Sequence, residues 1–330
     1  MRLIFFTVLF CCSFFAGNNN KTEIDGYAQG TTYHITYYAN DSIVTKLQID
    51  SILNKIDSSL SLYKPYSLIN KFNNSDSGTT VDSHLMNVLV ASFATYKATH
   101  GLFDITVEPL VQAWGFGAVK NSVMPDSSAI QQILPCVGTN KLTLISTFLY
   151  KQKPCVKIDM NGIAQGYSVD VLANFLEQYG IKNYVVELGG EIKIKGRKPN
   201  NEKMKIGIES PGDDEVDAEL IQQVIELDSG AITTSGNYRK YYESGGKKIS
   251  HLIDPRTGYS IQNEMISVSV YAQDAITADA FDNALMVMGC DSALHFVEQR
   301  KNIAAYIIYR KPDGTVADTA STVFYRLMHH

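Results

Sequence analysis

The sequence has no run of basic residues. Its 29 Lys and Arg are outnumbered by 34 Asp and Glu, giving a net charge of −5. Without a concentrated positive face, nucleic acid is excluded as the natural partner. A long apolar stretch is missing too. The one candidate, residues 3–10 behind Met1-Arg2, is too short to span a bilayer and reads as an export signal. Neither G-x-G-x-x-G nor G-x-x-x-x-G-K-[ST] occurs, so the dinucleotide fingerprint and the P-loop are both absent. Cysteine is scarce. Beyond the signal region only Cys136, Cys155 and Cys290 remain, an odd number without metal-ligand spacing. Cys136 and Cys155 flank the apolar runs 142–145 and 148–153. In an oxidising compartment a staple between neighbouring strands fits them, and so do three buried thiols.

What is present organises the chain. Leu9-Phe10-Cys11-Cys12-Ser13 resembles a relaxed bacterial lipobox with Cys12, or Cys11, as the lipidated residue; a plain cleaved signal ending near Ala16-Gly17 is the alternative. Residues 1–17 are therefore expected to be signal, 18–24 a polar tether and 25–330 one folded domain. A hydrophobic content of 45% against 19% charged supports a packed core of that size. The 19 tyrosines suit clefts where rings stack on a planar ligand, and equally suit ordinary packing.

The central stretch is 157–196. Val156, Ile158 and Met160 alternate like a half-buried strand that stops at Asn161-Gly162. Val169, Leu172, Ala173, Leu176 and Tyr179 then recur at helical spacing, and Gly180 closes the helix. A strand follows at 184–188 and stops at Gly189-Gly190. Gly162 and Gly166, which lack a Cβ, let the backbone press on a ligand or take positive φ just ahead of a helix N-terminus, a setting suited to phosphate. Close packing explains the same glycines.

Around that stretch, 26–38 reads as a strand pair, and 47–60, 84–100 and 126–134 as helices. Strands are expected at 142–145, 156–159, 205–211, 223–227, 266–270 and, last, 304–309. The acidic segment 212–219 reads as a solvated loop, and Ser235-Gly236 as the opening of a helical turn able to cradle an anion. The helix at 277–289 places Asp279, Asp282 and Asn283 at i, i+3 and i+4, on one face. Clustered hard oxygens suit Mg²⁺ completed by water and phosphate; acids complementing a helix dipole are the plainer reading. Phe103 and Trp114, the single tryptophan, are able to wall an apolar slot, with Asp104 beside them as a hydrogen-bond acceptor. His251 lies three residues before Asp254, placed for a carboxylate to orient it.

Six segments, in order, carry a resemblance. D-M-N-G-I-A-Q-G-Y-S-V-D at 159–170, followed by E-L-G-G-E at 187–191, is similar to the signature of the ApbE family, the FAD-dependent protein FMN transferases. The stretches G-Y-A-Q-G-T-T-Y (26–33), S-L-Y-K-P-Y-S-L-I-N-K-F-N (61–73), G-L-F-D-I-T-V-E-P-L-V-Q-A-W-G-F (101–116), A-I-T-T-S-G-N-Y (231–238) and H-L-I-D-P-R-T-G (251–258) match it as well. Three positions depart from the family pattern: Gln29 stands for Met, Gln165 for Lys and Asn283 for Thr.

The resemblance implies an α+β, T-fold-related architecture of twisted antiparallel sheets flanked by helices, one compact two-lobed domain with a central FAD cleft. It implies a flavin site of Gln29, Tyr63, Leu102, Phe103, Asp104, Asn161, Gln165, Tyr167 and Ile253, with Tyr63 stacked on the ring. The Mg²⁺ site it implies is Asp279, Asp282 and Asn283 with the Ala164 carbonyl. His251 is the candidate base or leaving-group acid, held by Asp254. The implied reaction moves FMN from FAD to a Thr or Ser hydroxyl and releases AMP. Its acceptors are exported FMN-binding flavoproteins, such as subunits of respiratory complexes and related electron carriers, at a periplasm-facing membrane. A Mg²⁺-dependent FAD pyrophosphatase and a non-catalytic FAD-binding lipoprotein are the alternatives.

Overall fold

Tyr33, Ile35 and Tyr37 are buried along one face of a strand, the period-two pattern of a sheet with a core on that side. That strand, β2 (Thr31–Ala39), pairs antiparallel with β1 (Asn20–Ala28). The structure, a computed structural model, describes residues 20–119, 124–209, 221–237, 241–244 and 247–328. The signal at 1–17 with Cys11 and Cys12, and the acidic segment 212–219, lie outside the described residues. The tether expected at 18–24 is corrected: from Asn20 onward it is β1, with Ile24 buried opposite Ile35. Among the described residues no helix is long and apolar enough to cross a membrane.

Next comes α1 (Lys46–Leu60), opened by a Thr45–Gln48 capping box and burying Ile49, Leu53, Ile56 and Leu60 along one stripe. After α2 (Leu68–Asn73), β3 (Gly78–Thr80), α3 (Ser83–Ala98), α4 (Glu108–Ala113) and α5 (Ser127–Ile133), the strands β4 (Leu142–Ile145) and β5 (Phe148–Lys151) complete a small sheet ordered β3-β5-β4.

The strand expected at 156–159 does not form. Val156, Ile158 and Met160 do alternate into the core, but no strand pairs with them, and the Ile158 backbone and the Val156 carbonyl are held by side chains instead. Asn73 Oδ1 accepts the Ile158 N–H at 2.8 Å, and Asn73 Nδ2 donates to the Ile158 carbonyl at 2.9 Å. Lys151, itself buried, donates through Nζ to the carbonyls of Phe72, Pro154 and Val156 at 3.1 Å and Asn73 at 3.4 Å. A Cys136–Cys155 disulfide anchors the start of the segment, while Cys290 is a buried free thiol.

Helix α6 (Ala164–Gln178) begins earlier than its apolar spacing indicates. It ends at Gly180, φ 76°. There the Gly180 and Ile181 N–H groups donate to the Glu177 and Leu176 carbonyls at 2.9 and 3.1 Å, the Schellman pattern that a left-handed residue permits.

From β6 (Tyr184–Leu188) and β7 (Glu191–Lys195) the chain makes a ribbon of β8 (Met204–Glu209) and β9 (Ile221–Leu227), then β10 (Ser229–Gly236), a hairpin of β11 (Tyr241–Ser244) and β12 (Lys247–Ser250), and β13 (Met265–Ala272). After α7 (Ala275–Met288), α8 (Cys290–Glu298) and β14 (Ile303–Arg310) it does not stop at the expected last strand: β15 (Val316–Ala320) and α9 (Thr322–Met328) follow. Eight strands, all antiparallel, form one sheet in the order β1-β2-β6-β7-β10-β13-β14-β15. Helices α6 and α7 cover one face; the β8–β9 ribbon and α9 bury Ile194, Ile232 and Ile308 on the other. This is the α+β, helix-flanked antiparallel architecture expected. Ser235-Gly236 is corrected: it pairs with Val268 and Ser267 inside the sheet and opens no helix.

Candidate active site

The two helices on the sheet meet at a point where a side chain would not fit. A Cβ on Gly166 would stand 2.4 Å from the Ala275 carbonyl oxygen and 2.7 Å from Asp279 Cβ. One on Gly162 would stand 3.2 Å from the Asn283 amide. The glycines of this turn therefore make room for α7. The close approach lets Asp279 Oδ2 accept the Gly166 N–H at 2.8 Å, one of the four N–H groups a helix start leaves open.

Asp279 and Asp282 are both buried, at 4% and 1% exposure. Burial raises each carboxyl above its ordinary range; Asp170 adds to this at Asp279, and Asp279 with Glu191 adds to it at Asp282. The Thr233 hydroxyl faces Asp282 from β10 and favours its ionised form, though short of full hydrogen-bond geometry. Asn283 Nδ2 donates to Asp282 Oδ1 at 2.8 Å, to the Asp279 carbonyl at 3.0 Å and to the Gly162 carbonyl at 3.3 Å. As placed, Asn283 therefore turns a donor toward the acids. Ligation through its oxygen requires a half-turn of the amide. The Ala164 carbonyl opens α6 and accepts the Ser168 hydroxyl at 2.8 Å.

No group of three or more His, Cys, Asp or Glu is poised for a metal among the described residues, which leaves two carboxylates with carbonyl or amide oxygens. That donor set fits Mg²⁺, which takes one or two carboxylates and fills its octahedron with water and phosphate oxygens. The mutual repulsion of two buried acids is what a bound cation relieves.

Gln29, Gln165 and, through Asn161, Tyr63 border the same turn. Gln29 sits at the tip of the β1–β2 hairpin with φ 52° and donates through Nε2 to Ser168 Oγ at 2.9 Å, tying the hairpin to α6. Gln165 turns its amide toward Gly189, in the β6–β7 turn. Tyr63 is 62% exposed, on a loop whose Ser61, Leu62 and Lys64 carbonyls are gathered by the Asn70 amide. Its hydroxyl faces Asn161. An exposed ring on a fixed loop can stack on a planar ligand.

Other candidates are placed differently. Tyr167 is buried, its hydroxyl 2.8 Å from His84 Nδ1, so it packs toward α3 with little surface left for a ligand. Phe103 and Trp114 are both buried in separate clusters rather than facing each other across an open slot. Leu102 is partly buried against the Phe103 cluster, and Ile253 is buried in the Trp114 cluster. Asp104 Oδ1 accepts from the Thr106 N–H at 2.8 Å and from the Thr106 and Thr139 hydroxyls at 2.6 and 2.7 Å. Its Oδ2 takes only the Thr139 N–H, at 3.1 Å. The residue lines a cavity of about 280 Å³ shared with Tyr96, His100, Lys141 and Arg256. That cavity includes none of the metal-set residues.

His251 lies edge-on to Phe116, with ring centroids 6.2 Å apart. The expected His251–Asp254 pairing is corrected. The Asp254 carboxylate takes the Arg256 guanidinium through Nε at 3.0 Å and a terminal nitrogen at 2.8 Å, and the Arg256 N–H at 2.9 Å. A bidentate fork two residues away wins over the imidazole. The loop is tied to α4 by Trp114 Nε1, which donates to the Gly258 carbonyl at 2.8 Å.

Residues the sequence reading did not single out complete the site. Asp159 is buried and accepts the Asn161 N–H at 2.7 Å; burial, then Glu108, pushes its carboxyl up to about 6. Glu191 and Lys193 project from β7 toward the helices, while Ile192 and Ile194 face the other way. Period-two alternation was the signal for that pair.

The profile of the ApbE family matches residues 29–307. A Haemophilus influenzae FAD:protein FMN transferase is 35% identical over 312 residues, spanning 91% of this chain and 89% of that protein. The Escherichia coli K12 FAD:protein FMN transferase is 34% identical over 303 residues, spanning 89% and 85%. Among solved structures, the flavin transferase ApbE from Vibrio cholerae superposes with a TM-score of 0.84 at 33% identity, covering 94% of this chain and 99% of that one. The apo flavinyl transferase ApbE of Pseudomonas stutzeri gives 0.85 at 30% identity, with 94% and 98% covered.

Proposed function

The chain belongs to the ApbE family, and from that premise we propose that the α6–α7 junction is the reaction centre of an FAD:protein FMN transferase. The activity is transfer of FMN from FAD to a target protein. The observation that carries the assignment of the centre is the buried Asp279–Asp282 pair at the start of α6, where Asp279 accepts the Gly166 N–H and Gln29 is tied to Ser168.

Asp279, Asp282 and the Ala164 carbonyl would hold Mg²⁺, and Asn283 would add its amide oxygen once flipped. When bound, the cation supplies charge neutralisation at the FAD pyrophosphate. The exposed Tyr63 ring stacks on the isoalloxazine. Asn161, fixed by Asp159, borders it, and Asp104 offers its free lone pairs to hydroxyls or the amine at the other end of the substrate. A Thr or Ser hydroxyl of the acceptor attacks the FMN-side phosphorus in line. The new O–P bond forms as the pyrophosphate bridge breaks, AMP leaves with the bridging oxygen, and the hydroxyl proton passes to a base. His251 is that base. Phe116, not Asp254, packs against its ring. Positioning and charge complementarity carry most of the acceleration.

The acceptors are exported flavoproteins, and the enzyme works at a periplasm-facing membrane, anchored through lipid at Cys12 or Cys11. The test is AMP release with and without an acceptor domain, in FAD and Mg²⁺. AMP that appears only with acceptor, one per FMN attached, supports the transferase. AMP and FMN released freely without acceptor would make the protein an FAD pyrophosphatase instead.

A further inference from the structure

Helices α6 and α7 cap each other. Asp279 of α7 accepts the Gly166 N–H of α6, and in return Asp170 of α6 accepts the N–H groups of Ala275 and Ile276 at 3.0 and 2.9 Å. The α7 start has its own N-cap as well, Asp274, which takes the Thr277 N–H at 3.0 Å, while the Ala278 N–H reaches the Asp274 carbonyl at 3.3 Å. Of the four N–H groups that a helix start leaves open, those of Ala275, Ile276 and Thr277 are thereby taken by carboxylates, so the first turn of α7 has little left to offer a phosphate. Two carboxylates spent on one helix start fix its position more than a single cap needs.

Asp170 is in turn held by Lys193. The ammonium lies 3.2 Å from Asp170 Oδ1 and donates to the Gln273 carbonyl at 2.6 Å, just ahead of α7. Both side chains are only about 15% exposed (15% for Lys193, 14% for Asp170). Removing either leaves a partly buried charge without its partner. Two residues back on the same strand face, Glu191 lies beside Asp282. Strand β7 therefore braces α7 near its start and beside Asp282.

We propose that Asp170 and Lys193 are positioning residues of the flavin-transfer reaction: the pair locks α7 onto α6 and β7 so that Asp279 and Asp282 meet the Ala164 carbonyl at the spacing a divalent cation requires. The inference rests on the metal assignment above. Asp279 lies one helical turn beyond Ala275, so any slip of the α7 start is passed to it directly. An octahedral ion at short metal–oxygen distances tolerates little such slip.

The test compares Asp170→Ala, Asp170→Asn, Lys193→Met and Lys193→Arg with wild type, and with Asp279→Ala as reference. Two Mg²⁺ midpoints are read: that of FMN transfer, and that of the Mg²⁺-dependent rise in Tm with FAD present. FAD affinity without Mg²⁺ is measured in parallel. Asp170→Ala should raise both midpoints by about tenfold or more, the usual consequence of losing a residue that orients metal ligands. Asp170→Asn and Lys193→Met should give smaller rises, Lys193→Arg should restore the wild-type midpoint, and metal-free FAD affinity should stay unchanged. A folded Asp170→Ala protein with wild-type midpoints overturns the proposal; if that variant does not fold, unchanged midpoints in Asp170→Asn overturn it. Should Asp279→Ala keep the wild-type Mg²⁺ response, the metal assignment falls and this inference with it. If Asp279→Ala loses the response while Asp170→Ala keeps it, only the positioning role is wrong.

Discussion

The backbone N–H of Gly166 and the carboxylate of Asp279 meet at 2.8 Å, and no Cβ fits between their helices. A glycine inside a helix normally costs about 1 kcal/mol relative to alanine, so Gly166→Ala would ordinarily stabilise. Here the added methyl meets the Ala275 carbonyl, which as backbone cannot swing aside. The expected outcome is destabilisation by about 1–3 kcal/mol, read by denaturant unfolding, with weakened Mg²⁺ dependence of transfer. A more stable Gly166→Ala protein would show that the helices are not in contact as described.

Lys151 replaces a strand neighbour for the segment that leads into the site, gathering four carbonyls. Lys151→Met keeps the stem and removes the donors. Leaving buried carbonyls unpaired should cost about 3 kcal/mol or more. Hydrogen exchange should rise at Ile158, whose N–H is held by Asn73 at 2.8 Å, and remain unchanged in the β13–β14 ladder.

The Cys136–Cys155 bridge closes a loop 19 residues apart in sequence. Chain-entropy arguments give such a loop about 3 kcal/mol. The double Cys136→Ser/Cys155→Ser protein should unfold at correspondingly lower denaturant, and reductant should lower the wild-type Tm without affecting the double variant.

Asp159 carries a pH signature. Its ordinary value is 3.8, and in the folded protein it is pushed up to about 6. Between those values the folded state keeps a proton that the unfolded chain has released, so stability falls as pH rises through the window. The buried Asp279 and Asp282 act in the same direction. Asp159→Asn removes the Asp159 part of the slope. From pH 4 to 7 the wild type should lose on the order of 2–3 kcal/mol relative to that variant, measured by denaturant unfolding in the absence of Mg²⁺. Parallel pH profiles for the two proteins would contradict the burial of Asp159.

Elements with an apolar period were legible in the sequence. The stripe of α1, the glycine stop of α6 and the alternation of β2 are local patterns, and each formed close to where the spacing placed it. The resemblance to the family singled out Asp279, Asp282, Asn283 and Gln29, whose bonds to Gly166, Gly162 and Ser168 all lie at the start of α6. Other features depend on partners far away in the chain. Asn73 and Ile158 are 85 residues apart, Asp170 and Ala275 are 105 apart, and no local spacing encodes either bond. Tyr167 was misleading for the same reason: its helix position is plain, but only α3 decides that its hydroxyl goes to His84. At Asp254 the competitor was in plain sight, since Arg256 lies two residues on and forks onto both oxygens.

The most direct measurement is the intact mass of an acceptor flavoprotein domain after incubation with the mature protein, FAD and Mg²⁺, beside Asp279→Ala and a reaction without Mg²⁺. A gain equal to one FMN with wild type, absent in both controls, is the predicted result. The same mass gain with Asp279→Ala would contradict the account, because the reaction would then not depend on the carboxylate pair at the α6–α7 junction.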